Sequence, residues 1–257
     1  MNGAFYIGAA GLAAEERALA VIANNVTNVN TTGFKRSQAV FSALVSASDN
    51  NGATPLVDDD PTAGLSGVVV GSTPVDFSEG PLQQTGKPLD LAIDGTGFLE
   101  LMGPGGQPLL WRGGSLEVNP DGYLAAANGM ALKANITVPT GASAISIGAD
   151  GKVMALVAGE TNAVQIGQID LVVPKDMTQV TAMSDGLYQV SDETDLQTLG
   201  PGQDGAGILS AGMLEGSNVQ LSDELTTMLL LQRAYGANAE VVQAGDQLMS
   251  IANNLKR

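Results

Sequence analysis

Residues 217–257 read SNVQLSDELTTMLLLQRAYGANAEVVQAGDQLMSIANNLKR, and apolar residues recur in them every seven positions. This spacing places apolar side chains along one side of an α-helix. It predicts a helix over residues 218–254, which needs a packing partner because an isolated helix is marginally stable in water. One apolar row comprises Leu221, Met228, Tyr235, Val242 and Met249, and the row beside it comprises Val241, Leu248 and Leu255.

The N-terminal end has the same spacing. Its apolar residues lie at Phe5, Leu12, Leu19 and Val26, with Ile22 beside that row. A seven-residue period at both ends is typical of helices that pack as a coiled coil. We therefore expect residues 4–29 and 218–254 to pair as a coiled-coil layer, together with copies of both helices from other subunits. The expected contacts join Leu12, Leu19 and Val26 to Leu221, Met228, Tyr235 or Val242.

The middle of the chain has a different character. Turn sequences such as Pro120-Asp121-Gly122 and Asp150-Gly151 separate short runs of β-prone residues. Strands at such spacing indicate an antiparallel β domain. Residues 46–72 are polar, contain the acidic run 58–60, and indicate a long loop or extended hairpin.

The predicted fold class is α+β, with long N- and C-terminal helices paired as a coiled-coil layer, a central antiparallel β domain and a connecting hairpin. The expected terminal helical domain comprises residues 1–30 and 217–257. The connecting extended segment covers residues 31–72, and the outer β domain covers residues 73–216.

Composition excludes several functions. The 257-residue chain has no cysteine and no histidine, which rules out Ser-His-Asp triads, cysteine nucleophiles and most zinc sites. Its net charge of −16 disfavours nucleic acid and anionic membrane surfaces. No apolar run approaches the ~18 residues of a membrane span, so no membrane insertion is expected. Because Glu15 and Glu16 are the first charged residues, we expect the N-terminus to be retained rather than cleaved as a signal peptide.

Carboxylates are the remaining candidates for chemistry. Asp90 and Asp94 flank a β-prone run and would lie ~13 Å apart on one face of a strand, too far for a glycosidase pair. We expect both to be solvated. The run Asp58–Asp60 lacks the alternating ligands of a calcium loop. The sequence thus predicts no catalytic, cofactor-binding or metal site. A secreted, acidic carbohydrate-active enzyme would also require an aromatic platform, and the chain has one Trp.

Four stretches together resemble the family of flagellar rod and hook proteins. They are residues 24–36 (NNVTNVNTTGFKR), 89–98 (LDLAIDGTGF), 215–219 (EGSNV) and 232–235 (QRAY). Residues 36–44 (RSQAVFSAL) and 136–153 are most similar to the members that form the distal rod. A proximal rod subunit and a hook-type axial protein are the alternatives within the same family.

The resemblance implies a structural role without enzymatic activity or cofactors. It implies export through the flagellar type III apparatus and self-assembly into a hollow helical tube that crosses the periplasm. That tube would transmit torque from the motor to the hook. The implied partners are other copies of the chain, proximal rod subunits, hook subunits at the distal end, and the P-ring and L-ring proteins as a surrounding bushing.

We expect the assembly interface to comprise both helices and the corner that follows the first. Gly33 is expected to adopt a left-handed conformation after the helix ends. The ends are expected to be poorly ordered in an isolated subunit, and the segment 46–72 is expected to keep the assembled tube straight. The predicted interface residues are Leu12, Leu19, Ile22, Asn24, Asn25, Val26, Asn28, Gly33, Phe34, Leu221, Leu225, Met228, Gln232, Arg233, Tyr235, Val242 and Met249.

Overall fold

A computed structural model describes residues 2–44, 67–160, 162–183, 186–190, 195–203 and 205–255. The chain divides into two compact units. The helical unit is drawn from residues 1–27, 37–74 and 220–257, and the β unit from residues 28–36 and 75–219.

The helical unit contains two α-helices and one pair of strands among the described residues. Helix α1 spans Asn2–Thr27 and helix α2 spans Leu221–Leu255. Strands β1 (Val40–Leu44) and β2 (Gly67–Ser72) pair in antiparallel register, and β2 also packs against α1.

The two helices run antiparallel. Asn25, near the end of α1, contacts Glu224 in the first turn of α2. Gly8, near the start of α1, lies against Val242. Glu15 and Asn238 meet between these two contacts.

The predicted coiled-coil layer is wrong. A coiled coil buries large apolar side chains from both helices in one seam, whereas the buried side of α1 carries Ala14, Ala18 and Ile22 beside the polar Glu15 and Asn25. The seven-residue rows do not form that seam. Phe5, Leu221, Tyr235 and Met249 are exposed, and Leu12, Leu19, Val26, Met228 and Val242 are only partly buried. Gly8 and Gly11 allow α2 to approach closely, and the hydrogen-bonded pairs Asn25–Glu224 and Asn238–Glu15 join the two helices.

The β unit is built from short antiparallel strands. Its largest sheets have the strand orders β13-β14-β6-β5 and β16-β4-β7-β8, accompanied by β11-β10-β9, β12-β15 and β17-β3. The strands are β3 (Leu82–Gln84), β4 (Asp90–Asp94), β5 (Leu99–Met102), β6 (Pro108–Trp111), β7 (Gly113–Val118), β8 (Leu124–Ala126), β9 (Ala142–Ile147), β10 (Lys152–Val157), β11 (Val164–Gln168), β12 (Leu171–Pro174), β13 (Val180–Ala182), β14 (Leu187–Val190), β15 (Leu196–Leu199), β16 (Ile208–Ala211) and β17 (Met213–Glu215).

Two apolar clusters form the core of the β unit. The larger one surrounds Leu91, Ile93, Leu99 and Leu171, each of which is fully buried. The smaller one is centred on Phe98, whose ring packs edge to face against both Phe77 and Tyr188. In the larger cluster, Leu91 and Ile93 lie two positions apart on β4, and Leu99 and Leu101 lie two positions apart on β5, which is the spacing of side chains on one face of a strand.

Some sequence predictions fall on residues that the structure does not describe. The acidic run 58–60 and residues 46–66 of the segment 46–72 lie outside the described residues, whereas residues 67–72 form strand β2. Among the described helices, none has an apolar stretch long enough to cross a membrane.

Candidate functional site

Asn25 fixes the end of α1 to the segment that leads into β1. Its side-chain amide donates to the carbonyl oxygen of Ser37 at 2.8 Å, and its Oδ1 accepts from the Ser37 backbone N–H at 3.0 Å. The same amide group donates to Oε2 of Glu224 at 3.2 Å. Asn25 and Glu224 are each only 1% exposed. A buried amide with both its donor and its acceptor used specifies one geometry, because a shift would leave polar atoms unpaired.

A second polar contact joins the middle of the two helices. The amide of Asn238 donates to Oε1 of Glu15 at 2.8 Å. One turn earlier on α1, a Cβ added at Gly11 would lie 2.9 Å from Nδ2 of Asn238. A Cβ added at Gly8 would lie 2.7 Å from Cγ2 of Val242. The glycines therefore permit the close approach of α2.

Much of the apolar surface of α2 is uncovered in the single chain. Because an α-helix turns about 100° per residue, Leu230, Val241 and Leu248 lie about a third of a turn away from the side that faces α1. Leu230 and Leu248 are each 61% exposed. The exposed large apolar residues on α2 are Leu221, Leu225, Leu229, Leu230, Tyr235, Val241, Leu248, Met249, Ile251 and Leu255.

Within the β unit, Glu215 lies at the centre of a buried polar cluster. Its Oε1 accepts from Nζ of Lys35 at 2.6 Å and from the backbone N–H of Gly80 at 3.0 Å. Its Oε2 accepts from Nη2 of Arg112 at 3.2 Å. Its backbone carbonyl oxygen accepts from the N–H of Gly33 at 2.8 Å. Glu215 therefore joins three segments that are distant in sequence.

The two cations of this cluster are held by further acceptors. Nζ of Lys35 also donates to the carbonyl oxygen of Ser78 at 2.7 Å. Burial lowers the pKa of Lys35, although the hydrogen bond to Glu215 opposes that shift. Nη1 of Arg112 donates to the carbonyl oxygens of Gly95 and Gly97.

Aromatic residues close one side of the cluster. The guanidinium of Arg112 lies 5.5 Å from the ring centre of Phe98. The hydroxyl of Tyr188 donates to the carbonyl oxygen of Gly33 at 3.4 Å. Burial raises the pKa of Tyr188, so this hydroxyl keeps its proton at any physiological pH.

Asn218 binds the segments beside this cluster. Its Oδ1 accepts from the backbone N–H of Arg36 at 2.7 Å. Its Nδ2 donates to the carbonyl oxygens of Asp76 at 2.8 Å and Ser78 at 3.0 Å. The backbone N–H of Asp76 in turn donates to the carbonyl oxygen of Arg36 at 2.8 Å. One side chain thus holds residues 36, 76 and 78 together.

The expectation that Asp90 is solvated is wrong, whereas Asp94 is exposed. Asp90 is buried, and its Oδ1 accepts from the hydroxyl of Ser115 at 2.6 Å. Burial alone would raise its pKa, but the hydrogen bonds from Ser115 and Thr85 and the charge of Lys87 outweigh burial and lower the pKa. No group of three acidic side chains within the described ranges could hold a metal ion.

The predicted interface residues divide by unit and by burial. Asn28, Gly33 and Phe34 belong to the β unit, and the other predicted residues belong to the helical unit. Ile22, Asn25 and Gly33 are buried. The exposed members are Asn24, Leu221, Leu225, Gln232, Arg233, Tyr235 and Met249, and the partly buried members are Leu12, Leu19, Val26, Asn28, Phe34, Met228 and Val242.

Sequence reasoning missed the polar cluster. Lys35, Glu215 and Asn218 lie inside the quoted stretches, but nothing in their spacing shows that residues 180 positions apart form an ion pair. No sequence motif indicated that Arg112 belongs to this cluster. The available signal was that charged residues stand in otherwise apolar or glycine-rich stretches, as in Gly33-Phe34-Lys35 and Trp111-Arg112-Gly113.

Three models of flagellar protein families match the chain. The model described as "Flagella basal body rod protein" matches residues 5–35. The model described as "Flagellar hook protein FlgE/F/G D1 domain" matches residues 92–155. The model described as "Flagellar basal body rod FlgEFG protein C-terminal" matches residues 210–255.

The chain is also similar to whole proteins. It is 32% identical to the flagellar basal-body rod protein FlgG of Borreliella burgdorferi over 100% of both chains. It is 34% identical to FlgG of Bacillus subtilis over 98% of both chains. It is 31% identical to the flagellar basal-body rod protein FlgF of Caulobacter vibrioides over 94% of this chain and 93% of that protein.

Proposed function

Since this chain belongs to the family of flagellar basal-body rod proteins FlgG, we propose that it is the subunit of the distal rod of the flagellar basal body. The observation that carries this function is similarity to FlgG proteins over the full length of both chains. The family is structural and not enzymatic, and its members assemble within the basal body. The work of this protein is therefore mechanical.

The uncovered apolar surface of α2 supports assembly from copies of this chain. Large apolar side chains on one helix are costly to leave in water, at ~25 cal/mol per Å² of apolar surface. Leu230, Val241 and Leu248 point away from α1, so α1 of the same chain leaves them exposed. In the proposed rod, a helix from another copy covers this row.

The proposed assembly interface includes residues that were predicted from the sequence. Leu225, Tyr235 and Met249 are exposed on α2 and available to a neighbouring copy. Asn25 instead binds within its own chain, because its amide donates to the carbonyl oxygen of Ser37 and to the carboxylate of Glu224. The isolated subunit should therefore show fast amide exchange along α2, where few side chains are buried.

We also propose which other flagellar proteins adjoin this subunit. We place proximal rod subunits at one end of the assembled tube, hook subunits at the other, and the P-ring and L-ring proteins around it. Export by the flagellar type III apparatus without cleavage would bring the subunit to the periplasm.

Pelleting of the purified chain tests assembly. We expect wild-type protein to form sedimenting oligomers as its concentration rises. Leu230→Ser combined with Leu248→Ser should abolish pelleting while the circular dichroism spectrum of the dilute subunit stays unchanged. Gln247→Ser, at an exposed polar position on the same helix, is the matched control. Equal pelleting by the double variant and the control would contradict this assembly surface.

Complementation tests the position in the rod. The gene should restore complete basal bodies to a strain that lacks its distal-rod gene. A second candidate is another rod position, favoured by the 31% identity to FlgF. Restoration of an flgF deletion strain, but not of an flgG deletion strain, would select that alternative.

A further inference from the structure

The chain passes between its two units at four places. These places follow residues 27, 36, 74 and 219. Any force that the β unit passes to the helices of the same chain through covalent bonds must run through these four segments. The residues that hold the segments inside the β unit therefore determine how force enters them.

Asn218 holds three of the four segments at the point where they leave the β unit. Asn218 precedes residue 219, the last residue of the β unit before α2. Its side chain binds Arg36, the last residue of the β unit before the segment that leads into β1. It also binds Asp76, the second residue of the β unit after the chain returns from the helical unit at residue 75. The hydrogen bond from the Asp76 N–H to the Arg36 carbonyl oxygen closes this group.

Glu215 anchors the same segments to the core of the β unit. Lys35 immediately precedes Arg36, Gly80 lies two residues after Ser78, and both bind Oε1 of Glu215. Arg112, which binds Oε2 of Glu215, also donates to the carbonyl oxygens of Gly95 and Gly97, which follow β4. Charge-assisted hydrogen bonds of this kind are about twice as strong as neutral ones.

The burial of Lys35 and Arg112 separates this cluster from ordinary surface ion pairs. The side chains of Lys35, Arg112 and Glu215 are 0%, 1% and 2% exposed. A buried ion pair adds little net stability compared with apolar residues of the same size, but it penalises any displacement that breaks it. Such a cluster is better suited to fixing positions than to raising stability.

We propose that Asn218 and Glu215 form a force-transmitting junction that holds three of the segments leaving the β unit in fixed positions. Both are positioning residues. The proposal rests on the proposed function as a rod subunit, because the force in question is the torque that such a subunit carries. Without the junction, the three segments move independently and load on the β unit is no longer shared among them.

Hydrogen exchange on the full chain tests the junction directly. In Asn218→Asp, the carboxylate cannot donate to the Asp76 and Ser78 carbonyl oxygens. We expect the amides of Asp76 and Gly80 to exchange about tenfold faster, the loss expected for about one hydrogen bond. Amides of β4 and β7 should keep their wild-type rates. Asn128→Asp is the matched control, because Asn128 uses only its Oδ1, to accept from Met130, and aspartate retains that acceptor.

A paired substitution separates positioning from stability. Lys35→Met with Glu215→Gln removes the Lys35–Glu215 ion pair. The amide oxygen introduced at position 215 can still accept from Arg112, which also keeps the carbonyl oxygens of Gly95 and Gly97 as acceptors. Lys133→Met with Glu100→Gln removes a pair of the same 2.6 Å length in the same unit, outside the junction. Only the first pair should speed exchange at Gly33 and Gly80. Equal acceleration throughout the β unit, or none, would overturn the junction.

Motility under load then tests force transmission. Cells with Asn218→Asp should assemble flagella and swim in ordinary medium, yet lose speed more steeply than Asn128→Asp cells as viscosity rises. Wild-type speed at high viscosity, despite faster exchange at the junction, would overturn the role in force transmission. Failure of the wild-type gene to restore rods would instead contradict the proposed function, so the two failures are distinguishable.

Discussion

The amide of Asn25 donates to the carboxylate of Glu224 across 199 residues of sequence, at 3.2 Å and with both side chains only 1% exposed. This contact joins the end of α1 to the beginning of α2. The second hydrogen of the same amide reaches the carbonyl oxygen of Ser37. One asparagine therefore connects three parts of the helical unit.

Asn25→Asp is expected to destabilise the helical unit strongly. The new carboxylate would face Glu224 and the Ser37 carbonyl oxygen without a hydrogen to donate. Breaking a buried charged contact costs about 3 kcal/mol, which urea unfolding of the full chain would measure. Asn30→Asp adds the same charge at an exposed position and should change stability by less than about 0.5 kcal/mol. Similar losses in both variants would contradict the role of Asn25.

Gly8→Ala and Gly236→Ala are expected to have opposite effects. Alanine favours a helix over glycine by about 1 kcal/mol. At Gly236, an added Cβ meets nothing within 4 Å, so this preference should raise stability. At Gly8, the Cβ would lie 2.7 Å from Cγ2 of Val242, so either that side chain or α2 must shift, and stability should fall. Thermal unfolding followed by circular dichroism checks the signs, and a stabilised Gly8→Ala variant would show that α2 does not approach there.

Gly33→Val tests the backbone at the corner after α1. Gly33 has φ +68°, a left-handed conformation that a β-branched residue adopts only with strain. We expect Gly33→Val to lose about 2 kcal/mol of unfolding free energy and to impair motility, while β-sheet circular dichroism remains. Gly33→Asn should lose less, because asparagine tolerates this region. Normal motility of the valine variant would show that the conformation is dispensable.

Asp90 and Ser115 are expected to shape the acid stability of the β unit. The pKa of Asp90 is lowered in the folded chain. Ionisation of its carboxylate therefore stabilises the fold at pH values above the ordinary pKa of 3.8. That contribution is lost as pH falls through the lowered pKa. Asp90→Asn should therefore be less stable than wild type at about pH 7, and the difference should shrink at about pH 3. Urea unfolding at both pH values measures it, and a pH-independent difference would contradict the lowered pKa.

The family and much of the layout could be predicted from the sequence. The seven-residue period indicated helices at both ends, and turn signals indicated an antiparallel β region. The coiled coil could not be predicted reliably, because the period shows which side of a helix is apolar but not which surface covers it. On α1, the small Ala14 and Ala18 are buried and the larger Phe5 stays exposed.

The polar junction shows where sequence reasoning ends. Lys35, Glu215 and Asn218 were all visible within family-like stretches, and local periodicity said nothing about their partners. Hydrogen bonds between residues 180 positions apart depend on how the strands close on one another. For the same reason Asp90, a strand-end residue by sequence, is buried against Ser115.

The helical ends, the antiparallel β region and membership in the rod family follow from local properties of the chain, namely periodicity, turn residues and motif order. The approach of α2 at Gly8 and Gly11, and the binding of distant segments by Glu215 and Asn218, are visible only in the folded chain. Close packing and buried hydrogen bonds depend on distances between residues far apart in the chain, which local sequence does not encode.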